Sequence, residues 1–592
     1  MRHDSAWPGH HGRCAAAVAA VLVLLSSCAK SGPATSPRIS TPPGKRVEAR
    51  RGMVAASSAD AAAAGLTTLQ RGGNAIDAAV ATAFALGVVD HSQTGIGGYG
   101  IATIWLAKER RAVVFEFMGR TGADPAWAMA DPAATGPVNP RQAIVPGFVA
   151  GLLAMHGRHG ALPRADVMAP AIRLAREGFV VGPLMHRVLA AQREKVAATR
   201  AAAVFLPNGQ VPALGDRVVQ TELAAVLEAI ARDGPDAFYK GAYARKTAEE
   251  IRAAGGLLTE ADFAAYVPVE RRPACSEFNG HRVLGAAGAS AGPYVIEMLN
   301  VAEAAGVHRL GDPTATPQAA SLLADALSVG VQDLRRYGGG PEWRPSPVRG
   351  VTSDEFAAAR ASWNPKVPEG GSNPPDAWTH ETVAPVAACS TVDPYPVSTR
   401  PATEPPPDQS WESLSATNTS HLSVIDANRN VVSLTSSIGV LFGSGVYAGG
   451  MFLNSSGNLF RAGTRAPNRS PSSAVAPMIV MQGDQPRLAV GAAGAAYIPG
   501  AVAQVILRAT GLKQDLYAAL AAPRMNPTAT GGLEIEAGFA FPVYQELRAH
   551  GYAPSTRIAD LMFAAVHAIA QREDGTLIGA ADPRRDGAAA GY

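Results

Sequence analysis

Cysteine is scarce here, four among 592 residues, and no Cys or His cluster has metal-ligand spacing, which argues against a zinc-type centre and a disulfide-built scaffold. Charge is scarce as well. Asp, Glu, Lys and Arg make up 17% of the chain and balance to a net +3, so there is no basic footprint for nucleic acid. The apolar run Ala15–Leu25 is 11 residues (25 − 15 + 1), too short to span a bilayer as a permanent helix. Apolar bulk is what the sequence does have, 47% of residues, enough for a large core.

The first residues read as an export signal: Arg2 and Arg13 are basic, the apolar run follows, and Leu25-Ser-Ser-Cys28 is similar to a bacterial lipobox. That reading makes Cys28 the lipidated first residue of an exported lipoprotein, periplasmic or at the cell surface, touching the membrane through its lipid alone. A plain cleaved signal is the alternative. Residues 29–47, rich in Pro, Ser and Gly, are expected to be a flexible tether. With Cys14 lost and Cys28 lipidated, Cys275 and Cys389 remain in the folded body, either paired, as the compartment permits, or as two buried thiols.

Helical spacing runs from Ser57 to Gly72 and again from Ala75 to Val89. The stretch Gly95-Ile-Gly97-Gly-Tyr-Gly100 formally satisfies G-x-G-x-x-G, but a helix precedes it and the strand Ile101–Leu106 follows, the reverse of a dinucleotide site. Its glycines instead permit a tight backbone approach. Apolar residues three and four apart predict helices over Gly147–Met155, Arg164–Gly178, Val219–Asp233, Tyr243–Ala254, Pro293–Ala305 and Pro317–Arg336. From Gly338 to Thr417 the chain is proline-laden and reads as loop, a linker whose end must be able to move. Strand patterns return at Leu422–Val424, Val431–Ser433, Gly449–Leu453, Pro477–Met481 and Arg487–Val490, before a helix over Pro499–Thr510.

Thr419 opens the first of these strands. If the Asn418-Thr419 bond were cut, Thr419 would carry a nucleophilic hydroxyl and a free α-amine, and an amine of pKa about 8 can serve as base for its own hydroxyl. No separate histidine is needed.

The block Thr419-Ser-His-Leu-Ser-Val-Ile-Asp426 resembles the Thr-Thr-His-(Tyr/Phe)-Ser-Val-Val-Asp motif of the γ-glutamyltransferases, the glutathione hydrolases of the N-terminal-nucleophile hydrolase superfamily. Further blocks agree in order: Gly72-Gly-Asn-Ala-Ile-Asp-Ala-Ala79, Thr94–Gly100, Val145-Pro-Gly-Phe148, Gly234–Gly241, Gly255–Phe263 and Ala581-Asp-Pro-Arg-Arg585. The resemblance implies an α+β fold, a four-layer αββα sandwich, cut by its own Thr419 into a large subunit (48–418) and a small one (419–592). Ser437 falls where the family has a threonine bonded to the nucleophile. Gly494 and Ala495 fall where a Gly-Gly pair offers N–H groups to the oxyanion. No cofactor is implied.

The substrate anchors depart from the family pattern. Met118 stands where an arginine holds the substrate's α-carboxylate through paired bonds, so either Arg120 reaches back or the substrate lacks that group. Gly439 replaces an asparagine. Ser473-Ala474 replaces a Ser-Ser pair, with Ser472 available as a second hydroxyl. Asn458 or Leu459 replaces the acid that meets the α-amine. The expected reaction is hydrolysis of a γ-glutamyl amide, or its transfer to water or an amine acceptor, through an ester on Thr419. The alternatives are a non-γ-glutamyl amide, cephalosporin-acylase-like, and a surface lipoprotein that binds without turnover.

Overall fold

Strands buried on both faces form the centre of the molecule. Ser420–Ile425 and Val431–Ser437 are buried at every residue, as strands sandwiched between two layers must be. The computed structural model describes residues 41–592 except 130–135, 341, 343, 364–373, 391, 393, 403–417, 461–463, 529–530 and 558–562. The expected signal, Cys28 and residues 29–40 of the tether lie outside the described residues, as does most of the stretch leading to Asn418.

One sheet has eight strands in the spatial order Thr41–Gly44, Ala588–Gly591, Met53–Ala56, Ser420–Ile425, Val431–Ser437, Tyr99–Leu106, Arg111–Phe117 and Val269–Arg271. The other has seven: Arg46–Ala49, Leu577–Ala581, Ala565–Gln571, Gln485–Ala493, Met478–Gln482, His281–Gly285 and Ala274–Phe278. All neighbours in both are antiparallel. The sheets meet face to face through an apolar layer, Met53, Trp105, Ile425 and Val431 with Ile479, Met481, Ile569 and Leu577, and through hydroxyl groups: Ser433 Oγ donates to the Val490 carbonyl (2.9 Å) and Thr103 Oγ1 to that of Pro477 (2.8 Å). Helices Ala59–Gln70 and Ala75–Val89 cover the first sheet, while Gly292–Ala304 and Ile498–Ile506 cover the second. This is the expected αββα sandwich.

Helix Ala75–Val89 is pinned at both ends to the strand that begins after Thr419. At its start Asn74 and Asp77 form a capping box, and Asp426, closing the nucleophile motif, accepts from Ala75 N (2.9 Å). At its other end Asp90 accepts from Ser420 Oγ (2.5 Å). The lengths match: fifteen helical residues rise about 22 Å, and the strand from Ser420 to Asp426 covers about 20 Å. Two family-like blocks, Gly72–Ala79 and Thr419–Asp426, are thus two ends of one joint.

The structure corrects three expectations. The expected tether, 29–47, ends in strands, Thr41–Gly44 and the start of Arg46–Ala49, one in each sheet; Pro42 and Pro43 lack N–H donors, which an edge strand tolerates. The loop-rich stretch contains helices Val348–Val351 and Asp354–Ala361, the second capped by Ser353. The expected helix to Thr510 stops at Ile506 and continues as a π turn, Leu507–Gly511. Cys275 and Cys389 form a disulfide, with Cα atoms 5.9 Å apart, tying the stretch before the cleavage site to an edge strand.

Candidate active site

Thr419 sits one residue ahead of its strand with φ at +131°, a region that a β-branched residue occupies only under constraint, at a cost of about 1–3 kcal/mol. Both sides of the Asn418-Thr419 bond are buried, 1% and 4% exposed, so bulk water does not reach it. Thr419 Oγ1 donates to Ser437 Oγ (3.3 Å), and Gly439 N donates to the same oxygen (2.9 Å). Asn418 Nδ2 donates to the Gly439 carbonyl (2.9 Å). Ser437 therefore keeps the role of its expected threonine, and Asn418, Thr419, Ser437 and Gly439 form one hydrogen-bonded group.

Tyr99 extends that group. Its hydroxyl bonds Ser437 and Ser473, and burial pushes it up to about 12, so it is a neutral phenol at any working pH. Glycines make the approach close, as expected from the sequence: a Cβ on Gly98 would lie 2.4 Å from the Ser437 carbonyl oxygen, and one on Gly97 2.1 Å from that of Phe452. His421 is no base. It is buried between the sheets against Thr435 Oγ1 (2.9 Å) and Ser423 Oγ (3.0 Å), and burial holds its pKa well below the ordinary value.

Gly494 (φ +155°) and Ala495 (φ +49°) end strand Gln485–Ala493 and turn the chain toward helix Ile498–Ile506. Ser433 meets Val490, and a Cβ on Gly491 would meet the His421 ring at 2.3 Å, so the two strands reach Gly494 and Thr419 at the same end of the sandwich. A Cβ on Gly494 would strike Ala564 Cα at 2.4 Å.

The substrate anchors divide into two groups. Met118, Leu459 and Ala474 are 2%, 7% and 4% exposed and belong, with Tyr99, to the large apolar core that includes the second sheet and its helices, so apolar side chains occupy these altered positions. Ser472 and Ser473 are buried, with Ser473 N donating to the Ala289 carbonyl (2.9 Å). Asn458 lies in the 3-10 turn Ser456–Leu459. The expected asparagine has no room at Gly439, because φ is +90° and a Cβ would meet Ser455 Oγ at 2.2 Å. Arg120 is one-third exposed, and its guanidinium pairs with Glu342 (2.9 Å), an acid that competes with any substrate carboxylate.

Sequence reading missed the groups beneath Thr419. Arg585 Nη1 donates to the Thr419 carbonyl (3.3 Å) and to Gln93 Oε1 (2.8 Å), and Gln93 Nε2 donates to Asp90 Oδ1 (2.6 Å). The block Asp582-Pro-Arg-Arg585 was visible as a motif, and its job is now plain. Burial would raise Asp582, but Arg524 (2.5 Å) and Arg584 (3.0 Å) hold it down to about 2, which fixes the loop that aims Arg585. Lys45 Nζ clamps the same loop through the carbonyls of Asp582, Arg585 and Gly587. Chemically, the site offers a strained, buried hydroxyl residue with its own oxygen and carbonyl restrained, beside a positive-φ turn.

Comparison with known proteins agrees with this geometry. A family model described as gamma-glutamyltranspeptidase matches residues 61–592. The chain is 29% identical to the glutathione hydrolase proenzyme of Bacillus subtilis (strain 168), covering 98% of each. It is 32% identical to the acylase ACY 1 proenzyme of Pseudomonas sp. (strain SE83), over 92% of this chain and 94% of the relative. Among solved structures, a cephalosporin acylase from Bacillus halodurans superposes with a TM-score of 0.75 at 26% identity, covering 95% of this chain and 98% of its own.

Proposed function

The chain belongs to the gamma-glutamyltranspeptidase family, and from that premise we propose that it is a self-cleaving N-terminal threonine amidohydrolase, hydrolysing or transferring the γ-glutamyl group of glutathione-type amides. The observation that carries the reading is Thr419 itself: a β-branched residue held at positive φ at the head of a buried strand, its hydroxyl on Ser437. In maturation Oγ1 attacks the Asn418 carbonyl carbon; the C–O bond forms, the C–N bond breaks, and the hydroxyl proton leaves with the new amine. Water then splits the ester, giving two subunits. In turnover the freed α-amine takes the hydroxyl proton, Oγ1 attacks the amide, and the proton passes to the leaving amine. Water or an acceptor amine resolves the acyl-Thr419 ester, while the N–H groups of Gly494 and Ala495 serve the oxyanion.

A second reading, an amide whose acyl group has no α-amino-carboxylate head, is favoured by the apolar side chains Met118, Leu459 and Ala474 at three altered anchor positions. One experiment separates the two. Purified two-subunit enzyme is offered a panel of γ-glutamyl and non-glutamyl amides, and the mass added to the Thr419 peptide is read. A γ-glutamyl adduct supports the first reading, any other acyl adduct the second, and no adduct from any donor rejects both.

Membrane tethering through Cys28 is part of the same proposal, supported by the lipobox-like Leu25-Ser-Ser-Cys28. Among the described residues no helix is long and apolar enough to cross a membrane. Cys28→Ser is expected to move the protein from the membrane fraction to the soluble one, and unchanged retention refutes the lipid anchor.

A further inference from the structure

Asp90 is a carboxylate in an expensive place. It is 5% exposed and caps the C-terminus of helix Ala75–Val89, where the helix dipole disfavours negative charge. An asparagine there would avoid the cost of burying an anion but could accept only one of these two hydrogen bonds, from Gln93 and Ser420, its Nδ2 being a donor. What the carboxylate supplies is the second acceptor and the charge, and the nearby cation is Arg585, the residue that holds the Thr419 carbonyl.

The connections form a closed ring. Ser420 Oγ, one residue past the nucleophile, donates to Asp90 Oδ2 (2.5 Å); Gln93 Nε2 donates to Asp90 Oδ1 (2.6 Å); Gln93 Oε1 accepts from Arg585 Nη1 (2.8 Å); and Arg585 Nη1 returns to the Thr419 carbonyl (3.3 Å). The backbone of Gln93 adds a further tie, its carbonyl accepting from Ile438 N (2.9 Å), next to Ser437. The ring anchors the carbonyl side of Thr419, and the bond from Asn418 Nδ2 to the Gly439 carbonyl anchors the other, so φ +131° is held from both sides. One side of the ring is reached by solvent, since Asp90 and Arg585 line a cavity of about 510 Å³ with Lys45, Asp60 and Asp586.

We propose that Asp90 is a positioning residue for the nucleophile, acting through Ser420 and through Gln93–Arg585 to hold Thr419 in its cleavage-competent conformation. The inference rests on Thr419 being the nucleophile. It also has a pH signature. Burial raises Asp90 to about 6 against the pull of Ser420, Gln93 and Arg585, with Asp586 adding to the rise. The other charges on the cavity wall are Lys45, committed to three carbonyls, and Asp60; Asp582 and Arg187 act on Arg585. His91, next in sequence, points away, stacked on Phe205 and bonded to the Val88 carbonyl. Below pH about 6 Asp90 takes up a proton, Arg585 loses its counter-charge, and the ring loosens.

The test follows self-cleavage of purified precursor on a denaturing gel, where no substrate is needed and no free α-amine yet exists. Asp90→Asn is expected to slow cleavage at pH 8 by tenfold or more and to erase the fall in rate that the parent shows below pH about 6. Ser420→Ala, which removes one hydroxyl, is expected to slow cleavage less and to keep the acid limb. In processed enzyme Asp90→Asn lowers kcat with KM within twofold. Asp90→Asn cleaving within twofold of the parent, with an unchanged pH profile, overturns the proposal. Should that variant fail to fold, Ser420→Ala decides, and a parent-like rate in it is equally fatal. Thr419→Ala run alongside separates the two ideas: normal cleavage there denies the nucleophile, whereas blocked cleavage with parental Asp90→Asn denies only the ring.

Discussion

Thr419→Ala leaves one uncut chain on a denaturing gel where the parent gives two bands. The alanine variant keeps the strand, the buried scissile bond and the clamp on the 419 carbonyl, because these depend on backbone and on Arg585. It removes only the oxygen that attacks the Asn418 carbonyl. Neither neighbour can substitute: Ser420 Oγ is committed to Asp90, and Ser437 Oγ already accepts from Gly439 N. Loss of a covalent nucleophile costs on the order of 10⁶-fold in enzymes of comparable design, so no cleavage is expected over days. Thr419→Ser, which keeps the oxygen, should still cut. Two normal subunits from the alanine variant would remove Thr419 from the mechanism.

The second large effect concerns the donor head group. A buried bidentate arginine–carboxylate contact is worth on the order of 2–5 kcal/mol when its loss strands the partner charge, or roughly 30- to several-thousand-fold in kcat/KM. With Met118 in the arginine's place, Leu459 beside the position of the acid and Ala474 in place of a serine, glutathione turnover should fall short of relatives that keep the clamp by that factor, despite complete self-cleavage. Met118→Arg is expected to recover part of it. The same change places a guanidinium in a site 2% exposed, so the free variant should melt lower, and a γ-glutamyl ligand should restore part of the loss. Robust glutathione turnover by the parent, abolished by Arg120→Ala, would show instead that Arg120 leaves Glu342 to bind the carboxylate.

Much of the sandwich was readable because its central elements carry strong local signals. Helix Ala75–Val89 lies between a glycine pair and a polar turn and is apolar but for Asp77 and Thr82, and the hairpin of Ser420–Ile425 and Val431–Ser437 pairs around a five-residue polar turn. The strands Ala565–Gln571, Leu577–Ala581 and Ala588–Gly591 were not readable. They are rich in Ala, with Gly in two of them, residues of low strand propensity, and are strands because each finds a ladder partner on both sides. Thr419, Ser437 and the apolar replacements showed in motif comparison. Asp90 and Gln93 did not, since their partners lie 330 and 492 residues away and only folding brings them together.

Strand Ala588–Gly591 is inserted between Thr41–Gly44 and Met53–Ala56, two strands laid down at the beginning of synthesis, and Arg585 precedes it by three residues. Thr419 therefore leaves the ribosome 172 residues (591 − 419) before the strand that completes its sheet. Until that strand is present, Thr419 stands without the Arg585 contact to its carbonyl. A chain without residue 585 carries the blade sheathed: it lacks the clamp on the Thr419 carbonyl, and a product truncated there is expected to stay in one piece on a denaturing gel.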